Sequence, residues 1–182
     1  MNAEDGQRLL KLARESIQTY FSDSEPDTKS VEHLTQKRGL FCTLHKKGQL
    51  RGCIGQPLPI MPLYKAVIDA ARSAAFKDPR FPPLKEEELK ELHLELSILT
   101  EPQKIEANAV EEYKEKIEVG RHGLIIKHPQ GSGLLLPQVP KEQGWGCEEY
   151  LKHICLKAGL PPTALNDKET ELYCFEAQVF SE

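Results

Sequence analysis

The chain has 182 residues, a formal net charge of -4, and 29% charged residues. That length can bury a full core, as one domain or as one domain with a small lobe. The acidic balance leaves no electrostatic footprint for nucleic acid, and no apolar run reaches membrane-spanning length. The N-terminus lacks the basic-then-apolar order of a signal peptide, so a cytoplasmic location without membrane attachment is expected.

The five cysteines are Cys42, Cys53, Cys147, Cys155 and Cys174, irregularly spaced and without a C-x-x-C pair. Neither a disulfide framework nor a structural zinc site is expected from such spacing. The six histidines form no H-E-x-x-H pair, and the chain has no Walker loop, G-x-G-x-x-G or G-x-S-x-G. No cofactor or metal is expected.

From Ala3 to Phe21 the apolar residues Leu9, Leu10, Ala13, Ile17, Tyr20 and Phe21 recur at helical spacing, with Asn2 as the N-cap. Ser22 to Lys29 reads as a loop. Leu40, Cys42 and Leu44 alternate with Phe41, Thr43 and His45, and a turn follows at Lys46-Lys47-Gly48. The next run, Leu50-Arg51-Gly52-Cys53-Ile54-Gly55, reads as the second arm of a hairpin. Alternation puts Leu50, Gly52 and Ile54 on a core face, with a notch at Gly52 that another element can approach. It puts Arg51, Cys53 and Gly55 on the other face, a guanidinium beside a thiol with bare backbone beyond. Cys53 either packs as a small hydrophobe or lines a site where the nearby cation favours thiolate.

Pro57, Pro59 and Pro62 exclude regular structure before a helix over Leu63 to Phe76. That helix carries many alanines and can pack closely, plausibly over the Gly52 notch. The loop Phe76-Lys77-Asp78-Pro79-Arg80-Phe81-Pro82-Pro83 is stiffened by its prolines. Asp78 and Arg80 are either a self-satisfied corner or a fixed binding edge. Lys85 to Lys90 reads as a short charged helix with a solvated face. His93 to Thr100 alternates as a strand. Glu95, on its non-core face, either meets solvent or pairs with a neighbouring arginine.

Glu111 to Lys116 is a short helical stretch. Val119-Gly120-Arg121-His122-Gly123 leads into a second hairpin, Leu124 to His128 and Leu134 to Pro137. His122 stands between glycines, presented for chemistry or idle in a turn. His128 at the turn is expected to be solvated. Gln138 to Gly146 reads as an irregular crossing. Glu148 to Ala158 is a helix stopped by Gly159 and Pro161-Pro162. Glu171 to Phe180 is a final strand with Tyr173, Phe175, Ala177 and Val179 on one face. Hairpins and helices without βαβ alternation indicate α+β with a mostly antiparallel sheet flanked by helices.

These residues resemble the AMMECR domain family over nearly the whole chain, as one domain spanning residues 1–182. The resemblance rests on Leu50-Arg51-Gly52-Cys53-Ile54-Gly55, on Ser73-Ala74 through Asp78-Pro79-Arg80-Phe81-Pro82-Pro83, and on Leu96-Ser97-Ile98-Leu99-Thr100. It continues in Val119-Gly120-Arg121-His122-Gly123-Leu124 and Leu136-Pro137-Gln138-Val139. The prolines after Gly55 look archaeal, and Gln138 stands where many members carry glutamate. The resemblance implies a larger and a smaller lobe with a cleft between them, and no particular reaction. It also associates the chain with Memo-type and radical-SAM proteins.

Three functions remain open on these residues. The first is an enzyme or enzyme subunit with Cys53 as nucleophile or attachment point and His122 as its base. Arg51 and Arg80 would then hold an anionic group, with Gly52, Gly55, Asp78 and Glu95 lining the same site. The second is a non-catalytic module binding a peptide, nucleotide or protein there. The third is a structural partner whose neighbour supplies the chemistry. The partner is a small molecule or a protein whose identity the residues do not give.

Overall fold

A computed structural model describes residues 1–107 and 109–182 of the chain. It divides into two compact units, Met1–Leu99 with Gln178–Glu182, and Thr100–Ala177. The fold is α+β with antiparallel strand pairing, as the alternation of hairpins and helices predicts.

The first unit begins with helix α1, Ala3–Phe21, whose N-cap Asn2 accepts a hydrogen bond from the Asp5 amide at 2.7 Å. That bond satisfies one of the donors left free at a helix start. Strands β1 (Leu40–Lys46) and β2 (Gln49–Gln56) form the first hairpin. Its turn residues Lys47 and Gly48 both have positive φ, +52° and +77°. That pair of conformations matches the twist of the flanking strands, and Gly48 adopts it without steric cost. Strand β3 (Leu92–Leu99) pairs with the other edge of β1, which leaves β2 at the end of the order β2-β1-β3.

Leu40, Cys42 and Leu44 of β1 and Leu94, Leu96 and Ile98 of β3 are buried in one core with α1 and helix α2, Leu63–Phe76. Each leucine fully withdrawn from water contributes about 1.5–3 kcal/mol. Pro62 is the N-cap of α2 rather than its first helical residue. The alanine face of α2 approaches β2 as its small side chains allow. A Cβ placed on Gly52 would lie 2.1 Å from the Ala74 carbonyl oxygen. The notch is therefore filled by helix backbone.

The second unit contains β4 (Gln103–Lys104), helix α3 (Val110–Lys116) and the hairpin of β5 (His122–His128) and β6 (Gly131–Leu135). Helices α4 (Gln138–Gln143) and α5 (Cys147–Lys157) follow, and β7 (Glu171–Ser181) pairs with β5 and β4. Helix α5 ends where Gly159 takes φ +73° and the Leu160 amide returns to the Cys155 carbonyl at 2.9 Å. Tyr150 is fully buried, and its hydroxyl donates to the carbonyls of His122 and Leu135 at 3.1 and 3.3 Å.

Two local expectations are corrected, on the stretch after Pro137 and on His128. The stretch after Pro137 is helical, because Pro140 falls in the first turn, where its missing N–H costs nothing, and Gly144 closes the helix in the left-handed region. In β7 the buried set includes Leu172 and Phe180, with Cys174 packed on the core of the second unit. Of the opposite parity only Phe175 is buried, its ring occupying the space above Gly123. Tyr173 instead gives its hydroxyl to Glu171 at 2.8 Å. His128 is not solvated: its side chain is 6% exposed.

Gly52→Ala is expected to lower stability by about 2–3 kcal/mol, because the obstructing atom is backbone and cannot rotate away. The midpoint of urea unfolding measures it, and an unchanged midpoint would show that α2 does not rest on Gly52.

Candidate functional site around Cys53

At Cys53 the edge strand meets the proline-rich loop that follows α2. The loop is tied back by the Leu84 amide to the Ala75 carbonyl and by the Phe81 amide to the Asp78 carbonyl, at 2.8 and 3.1 Å. This places Asp78 against β2. The Cys53 amide donates to Asp78 Oδ2 at 2.8 Å, and Arg80 Nη2 donates to the Cys53 carbonyl at 3.2 Å. The peptide groups of an edge residue, which would otherwise stay open, are thus closed by two side chains.

Asp78 carries the load. Its side chain is 2% exposed, while Arg80 is 54% exposed. Its carboxylate accepts from Arg80 Nε and Nη2 at 2.9 and 2.7 Å and from the Arg80 amide at 3.1 Å. The Arg80 guanidinium first, and then the Cys53 and Arg80 amides, hold the carboxyl far below the ordinary carboxylate range against the opposing cost of burial. Asp78 and Arg80 are therefore a self-satisfied corner that also fixes the geometry of Cys53.

Arg51, two residues earlier, is matched in the same way. Its Nε and Nη2 donate to the two carboxylate oxygens of Glu88 at 3.1 and 3.0 Å. Lys46 adds a third cationic contact to Glu88 at 2.9 Å. Arg51 chiefly, with Lys46, holds Glu88 down at about 2. Glu88 belongs to a 3-10 segment, Glu86–Glu91, read from sequence as a solvated face. Its side chain is in fact mostly buried. Arg51 Nη1 is buried without a partner.

Across the sheet, Cys53 lies opposite Thr43 and Thr43 lies opposite Glu95. These three residues form one row over three strands. Opposed residues share a face, so the row occupies the side away from α1 and α2. Cys53 Sγ lies 3.2 Å from Thr43 Oγ1. The next row holds Gly55, Phe41 and Ser97. Gly55 does not leave open space: a Cβ there would lie 2.1 Å from the Leu40 carbonyl oxygen, so the glycine serves close backbone pairing.

Cys53, Arg51, Gly52, Gly55, Asp78, Arg80 and Glu95 all belong to the first unit, and His122 to the second. His122 Nδ1 accepts a hydrogen bond from the Glu118 amide at 3.1 Å. In the neutral ring that contact leaves the proton on Nε2, which then acts as a donor. Thr43, Glu88 and Ser97 were not singled out from sequence. Counting the hairpin register outward from the turn sets Cys53 opposite Cys42, and the irregularity between Leu44 and His45 moves that partner to Thr43. Glu88 and Ser97 have no local signal.

One group in the second unit has a metal-like composition. Donor atoms of His128, Asp167 and Glu169 lie within 4.8 Å of one another. His128 Nδ1 accepts from the Gln130 amide at 3.1 Å, which puts the ring proton on Nε2, 3.5 Å from Asp167. The arrangement is an imidazole donor facing a carboxylate. Among the described residues, no helix is long and apolar enough to cross a membrane.

Asp78 and Glu88 make stability depend on pH. Both carboxyls lie lower in the folded chain than in the unfolded chain, so their contribution is complete above about pH 5 and is lost as pH falls towards 2. Glu88→Gln is expected to remove about 2–3 kcal/mol of that acid-labile stability, and Asp78→Asn a similar share. Urea unfolding at neutral and acid pH measures the difference. If both variants keep the parent's pH dependence, neither carboxylate is its source.

The AMMECR1 family model matches residues 10–180. Protein MK0488 of Methanopyrus kandleri is 49% identical over 187 residues, covering 100% of this chain and 90% of its own. Protein MJ0810 of Methanocaldococcus jannaschii is 50% identical over 185 residues, covering 100% and 92%. The crystal structure of the uncharacterized protein PH0010 from Pyrococcus horikoshii superposes with a TM-score of 0.91 at 46% identity, covering 100% of this chain and 93% of that one. With the family model spanning nearly all of the chain and relatives matching it end to end, this protein belongs to the AMMECR1 family.

Proposed function

We propose that the chain is an enzyme, or the thiol-bearing subunit of one, that works through Cys53 on a small molecule. The observation that carries this reading is the clasp on Cys53: amide and carbonyl are both held by the Asp78–Arg80 pair while the residue stays only partly buried. A nucleophile is effective when its backbone is fixed by groups that do not themselves react. Thr43 Oγ1 is placed to donate to the sulfur once it is ionised, and the thiolate is the reactive species. Asp78 and Arg80 are positioning residues in this account.

Two sequence-based roles change. Arg51 and Arg80 are each matched by a carboxylate, so neither is a spare cation for an anionic substrate. His122 is given no proton-transfer step, because its Nδ1 is already an acceptor for the Glu118 amide.

The remaining thiols support the choice of Cys53. Burial pushes the Cys155 thiol up to about 11 and Cys42 further, and it also raises Cys147 and Cys174. A limiting dose of iodoacetamide at neutral pH, followed by peptide mapping, is expected to label Cys53 first. Thr43→Val is expected to slow that labelling by about three- to tenfold through loss of the hydroxyl donor. If Cys53 stays unlabelled until denaturant is added, the thiol chemistry is wrong and a non-catalytic binding module becomes the better reading.

A further inference from the structure

The charges around Cys53 do not cancel evenly, and the imbalance identifies what the site takes. The Asp78–Arg80 pair is neutral as a unit. Arg51 and Lys46 share Glu88, and Lys46 and Lys47 share Glu91. The positive charge left over there lies on the exposed Lys47 at the hairpin tip, away from the thiol row. In the row itself Glu95 is different: its carboxylate makes no hydrogen bond or ion pair among the described residues, although the residue is only partly exposed. Its carboxylate oxygens are not closed off from solvent, so the charge is free to take a bound cation or donor.

A second, independent feature points the same way. Ser97 is on the same strand as Glu95 and, two residues on, on the same face. It is 1% exposed, and its Oγ has no hydrogen-bond partner. The sheet face beside Cys53 therefore holds an unmatched carboxylate and a buried, unsatisfied hydroxyl in adjacent rows. The orphan Nη1 of Arg51 asks only for a neutral acceptor, because Glu88 already matches the guanidinium.

We infer that the substrate of the Cys53 site carries an ammonium or similar cationic donor group, bound by Glu95 with Ser97 Oγ as a second contact. This rests on the proposed function only for the word substrate; the binding of the cation does not depend on thiol chemistry. The row geometry sets the ligand's size. Strands are spaced by about 4.8 Å, so Cys53 and Glu95, two strands apart, have Cα atoms roughly 10 Å from each other. The cationic group is therefore several bonds removed from the atom that meets the sulfur. His45 and His93, which are opposed in the next row towards the tip, face the same side.

Charged thiol probes test this. The cationic aminoethyl methanethiosulfonate, the anionic sulfonatoethyl reagent and the neutral methyl reagent each transfer their alkylthio group to a thiolate and release methanesulfinate. Their rates at Cys53, followed at about pH 8 by quenching and peptide mapping and normalised to the same reagents on the urea-unfolded chain, report the local potential. The cationic reagent is expected to exceed the anionic one by about five- to tenfold in the folded protein, and Glu95→Gln to bring the ratio close to one. A ratio at or below one in the parent, or one that Glu95→Gln leaves unchanged, overturns the inference. If the neutral reagent fails to reach Cys53 in the folded chain, the thiol chemistry fails, and a second measurement decides the inference. Butylammonium is titrated against the protein with butyrate as control, followed by backbone amide NMR. Shifts at Thr43, Glu95 and Ser97 with butylammonium alone, absent in Glu95→Gln, support it, and no shift there overturns it.

Discussion

The peptide of Cys53 is gripped at both ends by one ion pair, and the first unit depends on that grip. Edge strand β2 has a neighbour on one side only, so Cys53 would otherwise present a free N–H and C=O. Asp78 takes the first and Arg80 the second, and the two side chains neutralise each other in doing so. The prolines around them limit the loop to conformations close to the bound one, which lowers the entropy lost in forming the clasp. The alanines of α2 let the helix that launches the loop lie directly on Gly52. Helix, loop and strand are thus mutually positioned within a few residues of one thiol.

This economy of charge explains why the two arginines mislead when read alone. A guanidinium beside a cysteine suggests an anion site, yet Glu88 holds Arg51 through two hydrogen bonds, as Asp78 holds Arg80. Buried arginine is tolerated because such partners offset its desolvation. In the row of Cys53 the unmatched charge is the carboxylate of Glu95, two strands away. The sign of the ligand follows from the pairing of the charges and not from their number.

Thr43 has a comparable part. A threonine in a strand is an ordinary β-branched residue, yet opposite Cys53 its hydroxyl becomes a polar neighbour of the sulfur. The thiols of Cys42, Cys147, Cys155 and Cys174 are raised by burial.

Local spacing sufficed for most of the fold. The helix from Ala3 to Phe21 with its Asn2 cap, the helix from Leu63 to Phe76, the hairpin turning at Gly48 and the stop at Gly159 all follow from interactions within a few residues, so they are written in the chain. The α+β class follows from their order, and the notch at Gly52 from a glycine where a strand should carry a side chain. Contacts between distant segments were not legible. The pairing of Arg51 with Glu88 joins residues 37 positions apart, and that of Asp78 with the Cys53 amide joins residues 25 apart. Neither carboxylate differs in sequence from the exposed ones around it. Residues of β7 are divided between two cores, Leu172 in one and Phe180 in the other, which alternation along a single strand does not reveal. The sequence by itself determined the elements and the residues capable of chemistry. Only the tertiary structure decided which charges cancel and which hydroxyl meets the thiol, because hydrogen bonds and ion pairs depend on positions in space to within an ångström, and strand spacing alone does not specify those positions.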